Sequence, residues 1–263
     1  MKPQLTLGER IAQQALESRC EMVASGELLP EADFKRCLGV SQKRLARMLA
    51  DGSVFGIDVE GTTYFPALLG DVRLNRKRLQ VVCKIIVPAP PECRLDYLSS
   101  PRGSFGSRSP LQMLDGDNDF KRLRQAAAAW AAEYSRTAVK MYEGEHETEP
   151  KDVGPLYTAA AEIDPRRPLW DRASEALHAH GYEWPLGPYP CARKFSLFVE
   201  RQTAGYSTPI PEACVQITTH SEFIRVRIIA APGTSLDSET VRVSKHTTFI
   251  DVAKRVITYL RKR

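Results

Sequence analysis

The sequence predicts an α+β fold, with a mainly helical region first and a small antiparallel sheet with helices after it. Apolar residues recur at helical spacing in most segments before residue 140. Apolar runs with strand character, separated by turn residues, dominate after residue 194. We therefore expect four parts: a small module in 1–70, a helical domain in 71–140, an acidic linker in 141–155 and an α+β domain in 156–263.

Length, charge and cysteine spacing limit the class of protein. The 263 residues suffice for two domains, and 43% hydrophobic and 26% charged residues are ordinary for a globular chain. The net charge of +5 permits a polyanionic partner without requiring one. Six single cysteines, with no Cys-x-x-Cys pair, predict reduced and mostly buried thiols. The N-terminus lacks a signal-peptide core and no stretch approaches ~18 apolar residues, so we expect a cytoplasmic protein with no membrane partner.

The first predicted elements are two helices. A loosely amphipathic helix from about Leu7 to Ser25 is expected to pack on the following module or on a second copy of it. Pro30 then starts a short helix, because proline loses no hydrogen bond at the first helical position and the acidic residues after it suit the positive end of the helix dipole. Gly39 ends this helix. Its apolar side consists of Phe34, Cys37 and Leu38.

A second, basic helix follows after a Gly-Val-Ser turn. Ser41 is a good N-cap, and the apolar side of the segment 42–50 is formed by Leu45, Met48 and Leu49. In a helix-turn-helix, the N-terminal residues of the second helix contact base edges in the major groove, where Gln and Arg pair with adenine and guanine. We predict contacts to double-stranded DNA from Ser41, Gln42, Lys43, Arg44, Arg47 and Tyr64. The alternative is a basic surface helix on an ordinary three-helix core.

A β-hairpin is predicted next. Two short apolar runs, 54–57 and 63–65, flank Glu60-Gly61, a turn signal. Tyr64 lies in the second run. The acidic Asp58 and Glu60 near the tip weaken the argument that the hairpin itself touches phosphate.

Further helices are predicted from residue 75 onwards. Asn75 caps an apolar run, 79–87, which favours a helix over a core strand. The basic cluster before and within its start contacts either the DNA backbone or only solvent; it consists of Arg73, Arg76, Lys77 and Arg78. A proline-rich connector, a short helix near Tyr97, a Gly/Ser-rich loop, a helix start at Pro110 and a long helix over 118–134 complete this region.

The string Gly-Ser-Arg-Ser-Pro-Leu-Gln-Met-Leu-Asp-Gly-Asp at 106–117, followed by an Ala-rich helix, resembles the C-terminal toxin-binding domain of the Xre/MbcA/ParS antitoxins. In that family a Pro-Leu-x-x-Leu core closed by a glycine recurs. Upstream, Leu-Gly-Val-Ser at 38–41 and Phe-Pro-Ala at 65–67 are similar to the family's DNA-binding segment. The resemblance covers about residues 29–134.

The resemblance implies an autoregulator that represses its own operon and sequesters a RES-type toxin, with no enzymatic activity of its own. By the same resemblance, Arg108, Pro110, Leu111 and Leu114 form the turn that engages the toxin. The alternative for this region is a tight loop followed by close helix packing. The chain departs from the family in continuing far beyond Tyr134, which puts toxin binding in doubt more than DNA binding.

The remaining sequence predicts an exposed acidic linker and an α+β domain. Alternating glutamates between Glu143 and Glu149 favour a solvated linker. A helix around Trp170, strands in 195–199, 214–217, 223–228 and 241–243, and a closing helix capped by Thr247 follow. Arg225 and Arg227 give either a basic sheet face or the wet side of a half-buried sheet.

No catalytic, metal or cofactor site is predicted. His178 and His180 lie two apart on a helix and point to different sides, and His220 and His246 are isolated. Two classes of function remain. One is a DNA-binding, antitoxin-like regulator that forms homo-oligomers. The other is a protein-interaction adaptor without DNA binding, whose C-terminal domain senses a ligand or dimerises.

Overall fold

The computed structural model describes residues 6–178, 182–187, 189, 191, 193–220, 223–230, 235–242 and 248–262. The chain forms two compact units, Met1–Ala131 and Ala132–Arg263. This division differs from the boundaries at 70, 140 and 155 that the sequence predicted.

Unit 1 begins with helices and a small antiparallel sheet. Its strand order is β1-β3-β2, so that the third strand is central. The elements are α1 (Leu7–Ala24), β1 (Leu28–Pro30), α2 (Glu31–Leu38), α3 (Gln42–Ala50), β2 (Ile57–Val59) and β3 (Thr62–Pro66). The predicted helices are confirmed, as are the turn and the second strand of the hairpin. The first strand lies at Ile57–Val59 and not at 54–57, and β1 was not predicted.

Helices form the rest of unit 1. They are α4 (Arg76–Ile85), α5 (Pro91–Ser99) and α6 (Asp117–Ala132), with short 3-10 helices at Ala67–Gly70, Gly103–Phe105 and Pro110–Met113. The helix predicted at Pro110 is therefore a single 3-10 turn. Asn75 caps α4 as predicted, since its side chain accepts a hydrogen bond from the backbone N–H of Arg78.

One hydrophobic core runs through all of unit 1. Phe34 and Phe65 stack with ring centroids 4.8 Å apart, and the same core continues through Leu79, Tyr97 and Leu123. A separate domain for 1–70 would need its own core. Residues 71–131 instead share one with it.

Unit 2 contains a seven-stranded antiparallel sheet and two helices, which confirms the α+β class. The strand order is β10-β9-β8-β7-β4-β5-β6. The strands are β4 (Ser135–Glu143), β5 (Tyr157–Glu162), β6 (Tyr182–Trp184), β7 (Lys194–Thr203), β8 (Ile210–Thr219), β9 (Phe223–Ala230) and β10 (Ser235–Arg242), and the helices are α7 (Leu169–His178) and α8 (Phe249–Leu260).

The two faces of the large sheet differ. Alternate residues of the strands, such as Val139 and Met141, share a core with α7 and α8. The residues between them, such as Lys140 and Tyr142, point to the opposite face, because successive side chains of a strand alternate. The described helices cover one face, and on the other face Tyr142, Phe198 and Cys214 form a small buried cluster of their own.

The structure corrects the prediction of a linker at 141–155. Met141 and Tyr142 are 0% and 3% exposed and belong to β4, a strand with two neighbours in the sheet. The second compact unit therefore begins at Ala132, not near Leu156. The glutamates indicated a solvated segment, but the apolar residues before them pair with β5 and β7.

The N-cap of α8 differs by one residue from the prediction. Thr248 caps α8, whereas the predicted cap, Thr247, lies outside the described residues together with His180 and His246.

All six cysteines are free, as expected, but only Cys83 and Cys214 are buried. Burial raises the pKa of the Cys83 thiol to about 12.

We predict that Gly39→Ala destabilises unit 1 by about 1 kcal/mol, because an L-residue in the left-handed conformation is strained. Gly39 has φ of +66° and no atom within 4 Å of an added Cβ, so the conformation alone accounts for the loss. Urea unfolding measures it. Gly103→Ala is the control, because Gly103 also has open space but no left-handed φ. Equal stability of the two variants would contradict the argument.

Candidate nucleic-acid interface

The turn between α2 and α3 is a tight helix end followed by an immediate helix start. The N–H of Val40 donates to the carbonyl of Lys35, and the N–H of Gly39 donates to that of Arg36, both at 3.2 Å. This is the hydrogen-bond pair of a Schellman motif, with Gly39 in the left-handed position. Residues 39–41 alone therefore separate the two helices.

The packing of α3 determines which side it presents to solvent. Ser41 caps the helix, its side chain accepting a hydrogen bond from the N–H of Arg44 at 3.3 Å. Leu45 and Met48 are 0% and 4% exposed. Leu49 was predicted for the same apolar side, but it is 39% exposed, so that prediction is wrong. These two buried residues, Leu45 and Met48, three apart, anchor the nine-residue helix in the core, and its other residues are exposed to solvent.

The exposed surface of α3 is basic. Gln42, Lys43, Arg44 and Arg47 are all exposed, as is Ser41. Within the described residues, the charged groups of Lys43, Arg44 and Arg47 form no hydrogen bond or ion pair with another side chain. The amide oxygen of Gln42 accepts a hydrogen bond from the ammonium of Lys35 at 2.6 Å. The helix therefore presents three cations without counterions from described residues, which is suitable for a polyanion.

The basic cluster before α4 has a different role. The guanidinium of Arg76 donates to the carbonyls of Cys37 and Gly70 at 3.1 and 2.6 Å. Arg78 donates to the carbonyls of Leu114 and Asp115 and pairs with Asp117. These arginines join segments of unit 1 through backbone oxygens, so their charges are occupied by the fold.

Arg73, of the same cluster, pairs with its neighbour Asp71. Its guanidinium donates to both carboxylate oxygens, and this holds the pKa of Asp71 at about 2. Lys77 is the exposed member of the cluster for which no hydrogen bond or ion pair to a described residue is found. Of the cluster, Lys77 therefore remains open to both predicted roles, contact with the DNA backbone or with solvent only.

The hairpin forms around the predicted turn. Glu60 and Gly61 have φ of +52° and +78°, the signs required by a type I′ turn, and the N–H of Gly61 donates to the carboxylate of Asp58. Asp58 and Glu60 are exposed at its tip. Tyr64 is half-buried and packs against the core of unit 1, which leaves part of its side chain for a ligand.

The residues predicted to bind a toxin lie between two helices of unit 1. Arg108 pairs with both oxygens of Asp119 at 2.7 and 3.0 Å, which raises the pKa of Arg108 and lowers that of Asp119. Pro110 and Leu114 are buried, and Leu111 is half-buried. Three of the four residues thus stabilise the turn itself, and Leu111 retains accessible apolar surface.

Across the part of the chain that the structure describes, no three His, Cys, Asp or Glu side chains are grouped so as to bind a metal ion. His178 contacts the carbonyl of Ser174, and His220 stacks on Phe223. Among the described helices, none has the length and apolar character to cross a membrane.

Comparison of the chain with protein-family models, with curated proteins and with solved structures found no match.

We predict that Ser41→Ala lowers the free energy of unfolding by about 1 kcal/mol, because it removes the cap of α3. Arg44→Ala should stay within about 0.5 kcal/mol of the parent protein, since the exposed guanidinium has no partner among the described residues. Thermal and urea unfolding separate the two. A large loss of stability in Arg44→Ala would show that its charge is used within the fold.

Proposed function

We propose that unit 1 binds double-stranded DNA as a transcriptional regulator, with α3 as the recognition helix. The observation that carries this proposal is the exposed Lys43, Arg44 and Arg47, on a helix whose opposite side is fixed in the core. No ion pair joins any of these three cations to another described residue, so their charges remain accessible to a polyanion.

The topology of unit 1 supports the same function. The order helix, strand, helix, helix, strand, strand, with β3 between β1 and β2, is that of a winged helix-turn-helix. In helix-turn-helix proteins the second helix enters the major groove and the first crosses the backbone. In this chain α3 is the second helix, and α2 carries Lys35 and Arg36 in its last turn, next to the recognition helix.

The side chains of α3 suit both tasks of a DNA ligand. Arginine can donate two hydrogen bonds to guanine O6 and N7, and glutamine can pair with adenine N6 and N7. Lysine contributes a point charge that contacts phosphate. Gln42 and Lys43 are in the first turn of α3, Arg44 follows them and Arg47 is in the last turn. We propose that these four side chains contact bases and phosphates.

A single copy of this helix offers little sequence information. Nine residues span roughly 13 Å, only a few base pairs. Helix-turn-helix dimers extend the site by binding half-sites about 34 Å apart. We therefore propose a homo-oligomer bound to a repeated or palindromic operator.

We predict that replacing Arg44 and Arg47 together by Ala costs about 1 to 3 kcal/mol per lost base contact. The double Lys replacement should keep non-specific binding and lose most sequence preference, since lysine keeps the charge but not the planar fork. Selection from a random duplex library, followed by mobility shift over a salt series, measures both. The control replaces Arg124 and Arg255, exposed arginines on other helices, by Ala.

Two results would contradict the DNA proposal. The first is a parent protein that selects no sequence and binds duplex DNA no better than the double Ala variant. The second is an equal loss of affinity in the control variant, because the effect would then follow from net charge alone. Either result would favour the adaptor, a protein that contacts other proteins and not DNA.

Toxin neutralisation is the second part of the proposed function, and it stays a prediction. Its support is the resemblance of residues 106–117 to antitoxins, together with the half-exposed Leu111 beside the core turn. The toxin should be a RES-type protein encoded next to this chain.

We predict that Leu111→Glu leaves unit 1 folded and abolishes co-purification with the product of the neighbouring gene, because a charge replaces exposed apolar surface. Gln112→Glu adds the same charge at an exposed neighbouring position and is the control. A parent protein that does not retain the neighbour removes the toxin from the proposal and leaves DNA binding unaffected.

A further inference from the structure

The face of the large sheet opposite α7 and α8 is covered by residues 144–150, which we name the acidic strap. The strap is attached through its backbone. The N–H of His146 donates to the hydroxyl of Ser196 at 2.7 Å, and that hydroxyl donates to the carbonyl of Gly144 at 2.9 Å. The carbonyl of His146 accepts from Gln216 at 3.1 Å and from the thiol of Cys214 at 3.3 Å.

A cavity of about 590 Å³ lies between the second half of the strap and the sheet. This volume is within the usual range for small-molecule sites of roughly 300 to 1,000 Å³. Its apolar wall includes Phe198, Ala213, Cys214 and Ile229. Ligand sites have this composition, in which an apolar wall binds the body of a ligand and a few polar groups orient it.

The polar groups of the cavity are mostly negative. Glu147, Glu149 and Glu200 line it, against one ammonium, that of Lys140. Lys140 lies 2.9 Å from both Glu149 and Glu200, and the hydroxyl of Tyr142 donates to Glu149 at 2.6 Å. Lys140 thus pairs with two carboxylates. Among the described residues Glu147 pairs with Arg227 alone, at 3.8 Å and with both side chains exposed.

We propose that this cavity binds a small organic cation with an apolar body, such as a hydrophobic amine. The apolar wall takes the body of the ligand, and the ammonium neutralises the carboxylate surplus near Glu147 and Glu149. The site goes beyond DNA binding, and its test uses no DNA, so either proposal can fail alone.

An anionic ligand fits these contacts less well. It would have to displace Glu149 from both Lys140 and Tyr142, and it would then meet Glu147 and Glu200. Repulsion between like charges in a partly desolvated site opposes this exchange. An amine at Glu147 competes only with the long and exposed pair that this carboxylate forms with Arg227 among the described residues.

The experiment uses the full chain and pairs of ligands that differ in charge but share a body. Tryptamine, phenethylamine and octylamine are compared with indole-3-propanoate, 3-phenylpropanoate and nonanoate by calorimetry at neutral pH. We expect saturable binding of at least one amine to one site per chain. Binding of the matching carboxylate should be weaker by about tenfold or more, the ratio expected for reversing one charge.

Two variants locate the binding. Ile229→Trp narrows the cavity at its apolar wall and should weaken binding of the amine about tenfold, whereas Glu147→Gln should weaken it about threefold by removing an exposed charge. Glu143→Gln is the control, because Glu143 is exposed near the strap but does not line the cavity. Thermal unfolding checks that each variant is folded.

Three results would overturn the proposal. One is the absence of saturable binding by any of the amines up to about 10 mM, the weak limit of specific sites. Another is a carboxylate that binds as well as its amine. The last is unchanged amine affinity in folded Ile229→Trp, because the amine would then bind elsewhere.

Discussion

The stacking of Phe34 on Phe65 is the contact on which unit 1 depends. The two rings lie nearly parallel, 9° apart, and are 0% and 1% exposed. Phe65 belongs to β3, the central strand that pairs with both β1 and β2, so the contact ties α2 to every strand of the small sheet. The left-handed Gly39 then fixes the path from α2 into α3, where Leu45 and Met48 join the same core. Because that side of α3 is buried, the side chains of Arg44 and Arg47 point to solvent.

The cationic side chains of this protein differ in whether they bind other groups of the fold. Arg172 is 4% exposed, and its guanidinium bonds Thr137 and both oxygens of Glu212. A buried guanidinium with these partners is part of the fold, and its desolvation has to be compensated by such bonds. Arg76 and Arg108 are likewise engaged, by carbonyls and by Asp119. The net charge of +5 is therefore weak evidence for a nucleic-acid ligand. Three cations on one helix, with no partner among the described residues, are stronger evidence.

The local signals of unit 1 could be predicted from the sequence, and the pairings of unit 2 only in part. Proline, glycine and cap residues act within a few positions, so Gly39, Ser41 and Asn75 marked their helices correctly. Three-residue β1 exists only because its backbone pairs with β3, and β5 contains three consecutive alanines with no strand signal of their own. The basic helix α3 could thus be predicted from one continuous segment. The cavity was not, because Lys140 and Glu200 lie on different strands that are adjacent only in the folded sheet.

The acidic strap also explains how unit 2 tolerates polar residues inside its sheet. Ser196 and Gln216 are 0% and 8% exposed, and burying such groups without hydrogen bonds is costly. The backbone of His146 satisfies both, through its N–H and its carbonyl. A segment with the composition of a linker is therefore attached to the sheet by backbone groups, and the side chain of Glu145 adds contacts to Lys194 and Thr218. Where the strap reaches Glu147 and Glu149, side chains replace backbone groups as its contacts, and it is there that the cavity lies between strap and sheet.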